Sequence, residues 1–219
     1  MNNPFDHAPH SHALASEDVI RRRVKAEIRK RMRGLRKTTP ASACAERSRL
    51  LVLELEKHPD LVRARSVALF WPIEDKHEVD LRPLDATLRA RGVKLYYPAI
   101  DRQDDNPDPE AYPLMTFRRV DDPAILDEAG NGFAEPPKDA PEAGALDIDV
   151  IVVPAIAIAP SGHRIGYGAG YYDRTLPRFS AAVTIAVAFD FQLIAEVPET
   201  EGDVATAWIV TDRRVLQAS

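Results

Sequence analysis

An apolar run at 148–159 passes directly into Ser161-Gly162-His163-Arg164-Ile165-Gly166-Tyr167-Gly168-Ala169-Gly170-Tyr171-Tyr172-Asp173-Arg174. No other stretch restricts the fold as much. The run reads as a buried strand, and 171–179 reads as the start of a helix. A glycine-rich turn between strand and helix lets backbone N–H groups converge on a phosphate. Alternating glycines permit backbone conformations that side chains forbid, and they let a ligand approach closely. Arg164 adds a permanent charge with a forked donor face, and Asp173 adds a carboxylate able to hold a metal. The stretch reads as a nucleotide site, with an ordinary glycine-rich turn as the competing interpretation.

Two common nucleotide signatures do not fit. The dinucleotide fingerprint needs G-x-G-x-x-G after the first strand; here the spacing is G-x-G-x-G, after a late strand. A P-loop needs Gly-Lys-Ser/Thr at the helix entrance, and no Lys lies between His163 and Arg174.

Around this stretch the chain alternates strands and helices. Val19, Ile20, Val24, Ile28, Met32 and Leu35 recur at helical intervals over 17–36, predicting an amphipathic helix with an opposite cationic face. Thr39-Pro40 reads as an N-cap with Pro at the first helical position, opening a helix that His58-Pro59 stops. A short strand at 66–71, a helix at about 80–91 capped by Gly92, and a strand at 93–97 form a β-α-β unit. Residues 101–112 read as loop, 114–120 as an edge strand, and 121–147 as loop with one helical turn. Buried strands follow at 182–188 and 205–211. The pattern predicts one α/β domain over 17–219: a mainly parallel open sheet flanked by helices, with sites at the carboxyl ends of strands. Residues 1–16 read as a disordered tail.

At 219 residues, 45% hydrophobic and 29% charged, the composition is that of a soluble globular protein. The lone cysteine, Cys44, excludes an intramolecular disulfide framework and a Cys-based zinc site. No apolar run has the length of a membrane span, and the first residues lack the features of a secretory signal. The cytoplasm is the expected compartment, with no membrane association and no obligate protein partner. Net charge is −5, yet ten of the 29 Lys/Arg fall between Arg21 and Lys37 against one acid, Glu27. That helix suits a solvated face, a nucleic-acid surface, or a phosphate site closed by one or two inward cations. Aromatic platforms and a recognised module, which nucleic-acid binding calls for, are not evident. Lys25 and Arg29, one turn apart, share a face.

The glycine stretch resembles the 5-formyltetrahydrofolate cyclo-ligase (5,10-methenyltetrahydrofolate synthetase) family, whose members carry a segment close to G-x-R-L-G-x-G-x-G-Y-Y-D. The resemblance extends in order to Lys25-Ala26-Glu27-Ile28-Arg29, Glu78-Val79-Asp80, Gly132-Phe133-Ala134-Glu135-Pro136, and Asp203 followed by Ile209-Val210-Thr211-Asp212. It covers nearly everything from Val24 onward. Two departures stand out: Gly202 precedes Asp203 where the family has His, and the loop at 72–77 is long.

The resemblance implies a Rossmann-like three-layer fold, similar to the sugar-phosphate isomerase and CoA-transferase folds. It also implies an ATP- and Mg²⁺-dependent cyclisation of 5-formyltetrahydrofolate to 5,10-methenyltetrahydrofolate. By position, Lys25, Ala26, Glu27, Ile28 and Arg29 would bind ATP from the helix. Arg164, Ile165, Gly166, Tyr167, Gly168, Ala169, Gly170, Tyr171 and Tyr172 would wrap the phosphates, with Arg164 the catalytic residue. Trp71 and Glu78 would face the folate, joined by 167–171 at the junction of the two substrates. Asp173 and Asp203 would hold Mg²⁺. Trp71 and Tyr172 equally suit plain core aromatics, and Lys25 a solvated cation. The competing functions are a divergent ligase or kinase on the same scaffold and a nucleotide- or RNA-binding module using the basic helix.

Overall fold

The computed structural model describes residues 10–101, 114–127 and 132–219. Helices α1 (His10–Thr38), α2 (Ala41–Lys57) and α3 (Pro59–Arg63) precede the first strand, β1 (Ser66–Ala68). Helix α4 (Arg82–Ala90) returns the chain to β2 (Lys94–Asp101), parallel to β1, which completes the expected β-α-β unit. Strand β3 (Leu114–Arg119) runs antiparallel along β2 as the edge. The chain then crosses to the other side of β1 for β4 (Val150–Pro154). A two-stranded hairpin of β5 (Ala157–Ile158) and β6 (Arg164–Ile165) leads into α5 (Tyr171–Thr175). Strands β7 (Val183–Val187) and β8 (Trp208–Val210) continue the parallel sheet, and β9 (Val215–Gln217) closes it antiparallel.

The seven-stranded order is β3-β2-β1-β4-β7-β8-β9, so the winding reverses between β1 and β4. At such a reversal the loops leaving two neighbouring strands diverge and open a crevice at their carboxyl ends. Here those loops begin at Leu69 and Ala155.

Strand side chains alternate between faces, and β4 is apolar on both because both are covered. Val150 and Val152 pack with Leu51 and Leu55 of α2 and Leu84 and Leu88 of α4. Ile151 and Val153 pack with Phe117, Leu176 and Phe179 on the other side. Each fully buried Leu contributes about 1.5–3 kcal/mol of transfer free energy. No helix among the described residues is long and apolar enough to cross a membrane.

The structure corrects several sequence expectations. The strand at 148–159 is two elements: β4 ends at Pro154, which has no N–H to donate, and Ile156 N–H turns away to Ile165 O (2.7 Å). Thr39 is not the N-cap of α2; its hydroxyl donates to Leu35 O at 2.8 Å, finishing α1, and Pro40 precedes α2 without a side-chain cap. The expected helix from Tyr171 is one short turn of α-helix continued by a 3-10 turn, Leu176–Phe179. Strand β9 was not foreseen. Helix α1 begins at His10, inside the expected tail, while residues 1–9 lie outside the described residues, as does the expected loop beyond Asp101. The orientation of α1 departs most from its hydrophobic pattern. Val19, Ile20, Val24 and Leu35 are exposed, whereas Lys25, Met32 and Arg36 are buried. Ile28 and Met32 anchor α1 against Ile156, Ala157 and Ile165.

Candidate functional site

Arg164 is carried on β6 with its side chain turned into the crevice, the residue being 7% exposed. Its guanidinium donates to Val204 O (2.6 Å) and to Asp173 Oδ1 (3.0 Å). Asp173, in the first turn of α5, also accepts from Val204 N–H at 3.2 Å. One carboxylate thus ties the hairpin, α5 and the segment before β8 together. Burial lowers the Arg164 pKa from its ordinary value, with Asp173, Tyr172 and Asp203 opposing; a guanidinium stays charged regardless. Gly168 (φ +110) and Gly170 (φ +67) adopt left-handed backbone, which a side chain would strain. Their turn exposes the carbonyls of Gly166 and Tyr167 to α1, where Arg29 Nε donates at 2.8 Å and Arg33 at 3.3 Å.

These acceptors explain the orientation of α1. A buried cation is tolerated where hydrogen-bond partners satisfy it, and the glycine loop and its neighbours supply them. Lys25 Nζ donates to Thr200 Oγ1 (2.8 Å) and pairs with Asp203. Asp203 also accepts from Thr200 N–H at 2.8 Å. Burial alone would raise the Asp203 pKa, but the Lys25 ammonium and the Thr200 donors outweigh it and hold the carboxyl below its ordinary value. Within 25–29, Lys25 and Arg29 line the crevice, Ala26 and Glu27 are exposed, and Ile28 packs into the core.

The loop after β1 brings in Trp71 and Glu78. Trp71 lies edge-on to Tyr97, ring centroids 6.1 Å apart. Glu78 is buried; its Oε2 accepts from Ile73 N–H at 2.9 Å and its Oε1 from the Tyr167 hydroxyl at 2.5 Å. The same hydroxyl accepts from Arg36 at 2.8 Å. Burial first, then the charge of Glu78, pushes the Tyr167 pKa above its ordinary value against the pull of Arg36. Tyr172 packs beside Phe117, and the Arg164 guanidinium sits 5.9 Å from its ring centroid. The sequence reading missed Arg36, although it falls on the same helical face as Lys25 and Arg29. It also missed Lys76, whose ammonium lies 4.8 Å from the Tyr167 ring centroid.

Lys25, Arg29, Trp71, Lys76, Glu78, Asp203 and the loop at 164–173 line one cleft of ≈ 650 Å³, the size of a small-molecule site; Arg36 lies behind that lining, bonded to Tyr167. Five cations (Arg22, Lys25, Arg29, Lys76 and Arg164) and three carboxylates (Glu78, Asp173 and Asp203) line it, in a chain whose net charge is −5. Such a wall suits a polyanion. Among the described residues no three His, Cys, Asp or Glu side chains converge as a metal cage. Asp173 commits Oδ1 and Asp203 commits Oδ2 to protein donors, and no hydrogen bond among the described residues reaches the other oxygen of either. Two such carboxylates suit Mg²⁺, which keeps several waters and shares phosphate oxygens.

A 5-formyltetrahydrofolate cyclo-ligase of Mycolicibacterium smegmatis is 43% identical over 98 residues, 44% of this chain and 50% of that protein. Its Escherichia coli K12 counterpart is 35% identical over 72 residues, 32% of this chain and 40% of that protein. The chain therefore spans half or less of the length of these two relatives. A 5,10-methenyltetrahydrofolate synthetase from Aquifex aeolicus, solved by NMR, superposes with a TM-score of 0.74 at 29% identity, covering 89% of this chain and 93% of that one. Residues 21–212 match the profile of the 5-formyltetrahydrofolate cyclo-ligase family, and the chain belongs to that family.

Proposed function

We propose that the protein is an ATP- and Mg²⁺-dependent cyclo-ligase that converts 5-formyltetrahydrofolate to 5,10-methenyltetrahydrofolate, releasing ADP and phosphate in the cytoplasm. The observation that carries this is the convergence of Lys25, Arg29, the 164–172 loop, Trp71 and Glu78 on one cleft, from elements far apart in sequence. A formyl group on nitrogen is a poor electrophile because the nitrogen lone pair feeds its carbonyl. Transfer of the γ-phosphoryl group of ATP to the formyl oxygen removes that obstacle. N10 then attacks the activated carbon, the C–O bond breaks, phosphate leaves and N10 gives up its proton.

The protein's part is positioning and charge stabilisation. Lys25 and Arg29 neutralise phosphate charge from α1. Arg164, held by Val204 and Asp173, presents its charge where the phosphoryl group moves, and preorganised charge of this kind lowers a barrier most effectively. The 166–170 backbone wraps the phosphates, Tyr171 and Tyr172 wall the junction, and Trp71 and Glu78 receive the pterin. Ala26, Glu27 and Ile28 serve by placing Lys25 and Arg29. Asp173 and Asp203 would hold Mg²⁺, which would offset triphosphate charge.

The test follows methenyltetrahydrofolate by its absorbance with ATP, Mg²⁺ and 5-formyltetrahydrofolate present. An ATP-dependent rise is expected, and none under those conditions refutes the assignment. Arg164→Lys keeps a charge but loses the fork between Val204 and Asp173. It is expected to lower kcat about 100-fold with circular dichroism unchanged; a wild-type kcat removes Arg164 from the chemistry.

A further inference from the structure

Arg36 belongs to no role above, yet it is 4% exposed and its Nε has no hydrogen-bond partner. Among the described residues its guanidinium donates to a neutral phenol, the Tyr167 hydroxyl. For packing alone, an apolar side chain at this position would avoid a buried charge with a stranded N–H. The bond continues from Tyr167 to Glu78, so a cation, a phenol and a carboxylate stand in series. We propose that Arg36 is a positioning residue for the folate end of the cleft, acting through the Tyr167 hydroxyl to fix Glu78. This rests on the reading above that Glu78 receives the pterin.

The phenol accepts from the guanidinium and donates to the carboxylate, and bonds in such a chain strengthen one another. With Ile73 N–H on Oε2 and Tyr167 on Oε1, each oxygen of Glu78 holds one donor. That pins the plane of the carboxylate while leaving acceptor capacity on both oxygens. A fixed carboxylate is suited to two parallel bonds from an amino-pyrimidine edge, as it is to a guanidinium. Without the Tyr167 donor, Oε1 is free to rotate and the paired geometry is lost. The relay also links the substrate halves, because Tyr167 lies within the glycine loop.

The Tyr167 ring has its own supports. Lys76 and Arg33 lie 4.8 and 5.2 Å from its centroid, and Arg33 also holds its carbonyl. Tyr167→Phe therefore deletes the relay and keeps the ring. Calorimetric titration with 5-formyltetrahydrofolate alone, together with steady-state KM values for both substrates, reads the effect. Arg36→Met and Tyr167→Phe are each expected to weaken folate binding about tenfold, the worth of one bond to a charged group, with the ATP KM within twofold of wild type. The double variant is expected to be no weaker than either single one, because both remove the same hydroxyl bond. Arg36→Lys, which retains a donor, is expected to recover part of the loss. Unchanged folate binding in Tyr167→Phe, losses that multiply in the double variant, or an equal rise in the ATP KM would each overturn the proposal. If Arg36→Met does not fold, Tyr167→Phe decides alone. A wild type that cyclises folate while these variants show no folate-specific loss removes the relay and leaves the cyclo-ligase reading standing. A wild type that neither binds nor cyclises folate removes both.

Discussion

Gly162 lies in the hairpin turn between β5 and β6, away from the cleft lining, and its substitution tests how the fold holds the site. At φ +82, an alanine there pays about 1 kcal/mol for left-handed backbone. Its Cβ would lie 2.3 Å from Thr206 O and 2.9 Å from the Ala218 side chain. The nearer atom is backbone, so the 204–206 segment has to move, at an overpacking cost of about 1–3 kcal/mol. The movement also strains the bonds that Thr206 N–H (3.0 Å) and Oγ1 (3.2 Å) donate to Gly162 O, each worth about 1 kcal/mol. Gly162→Ala is therefore expected to lose about 3–4 kcal/mol in urea unfolding at an unchanged m-value. Gly34→Ala is the control: it sits in α1 with nothing within 4 Å of the added Cβ, and is expected to gain up to about 1 kcal/mol. Where Gly162→Ala remains folded, kcat is expected to fall, because Val204 supplies the carbonyl that Arg164 holds. A loss below about 1 kcal/mol would show that the 204–206 segment yields freely and would refute this account of the hairpin.

Lys25→Ala and Arg29→Ala are each expected to raise the ATP KM about tenfold, the scale of a lost charge-assisted bond, while the folate KM changes less; the reverse order would place ATP elsewhere. Asp203 has a depressed pKa in the folded protein, so its contribution to stability is complete above the ordinary value of 3.8 and is lost as pH falls through the lower folded value. The thermal midpoint of Asp203→Asn is accordingly expected to lie below wild type at neutral pH and to converge on it in acid. A gap that stays constant down to the lowest pH at which the protein folds would refute the pairing with Lys25.

Which parts of this molecule its sequence disclosed follows from the range of the forces involved. The β-α-β unit, Gly92 as a helix stop, the edge position of β3 and the glycine loop rest on local periodicity and turn chemistry, and all were legible. The orientation of α1 was legible only as one of three alternatives, because hydrophobic periodicity assumes that apolar residues determine which face turns inward. In α1 that assumption fails: Ile20 and Val24 face out, while Lys25, Arg29 and Arg36 turn toward Asp203, Gly166 O and the Tyr167 hydroxyl. Those acceptors lie more than 130 residues along the chain, beyond the reach of any local pattern. The same separation hid the Arg36–Tyr167–Glu78 series, which draws on α1, the glycine loop and the loop after β1. The split of the 148–159 run has a nearer cause in Pro154, yet the missing donor became decisive only once Ile165 offered Ile156 a new partner. The sequence misleads most at α1 and at this hairpin, where cationic or backbone groups find partners that no local pattern encodes. Local rules are expected to fail first at such positions, where a fold gives up packing to hold a functional charge.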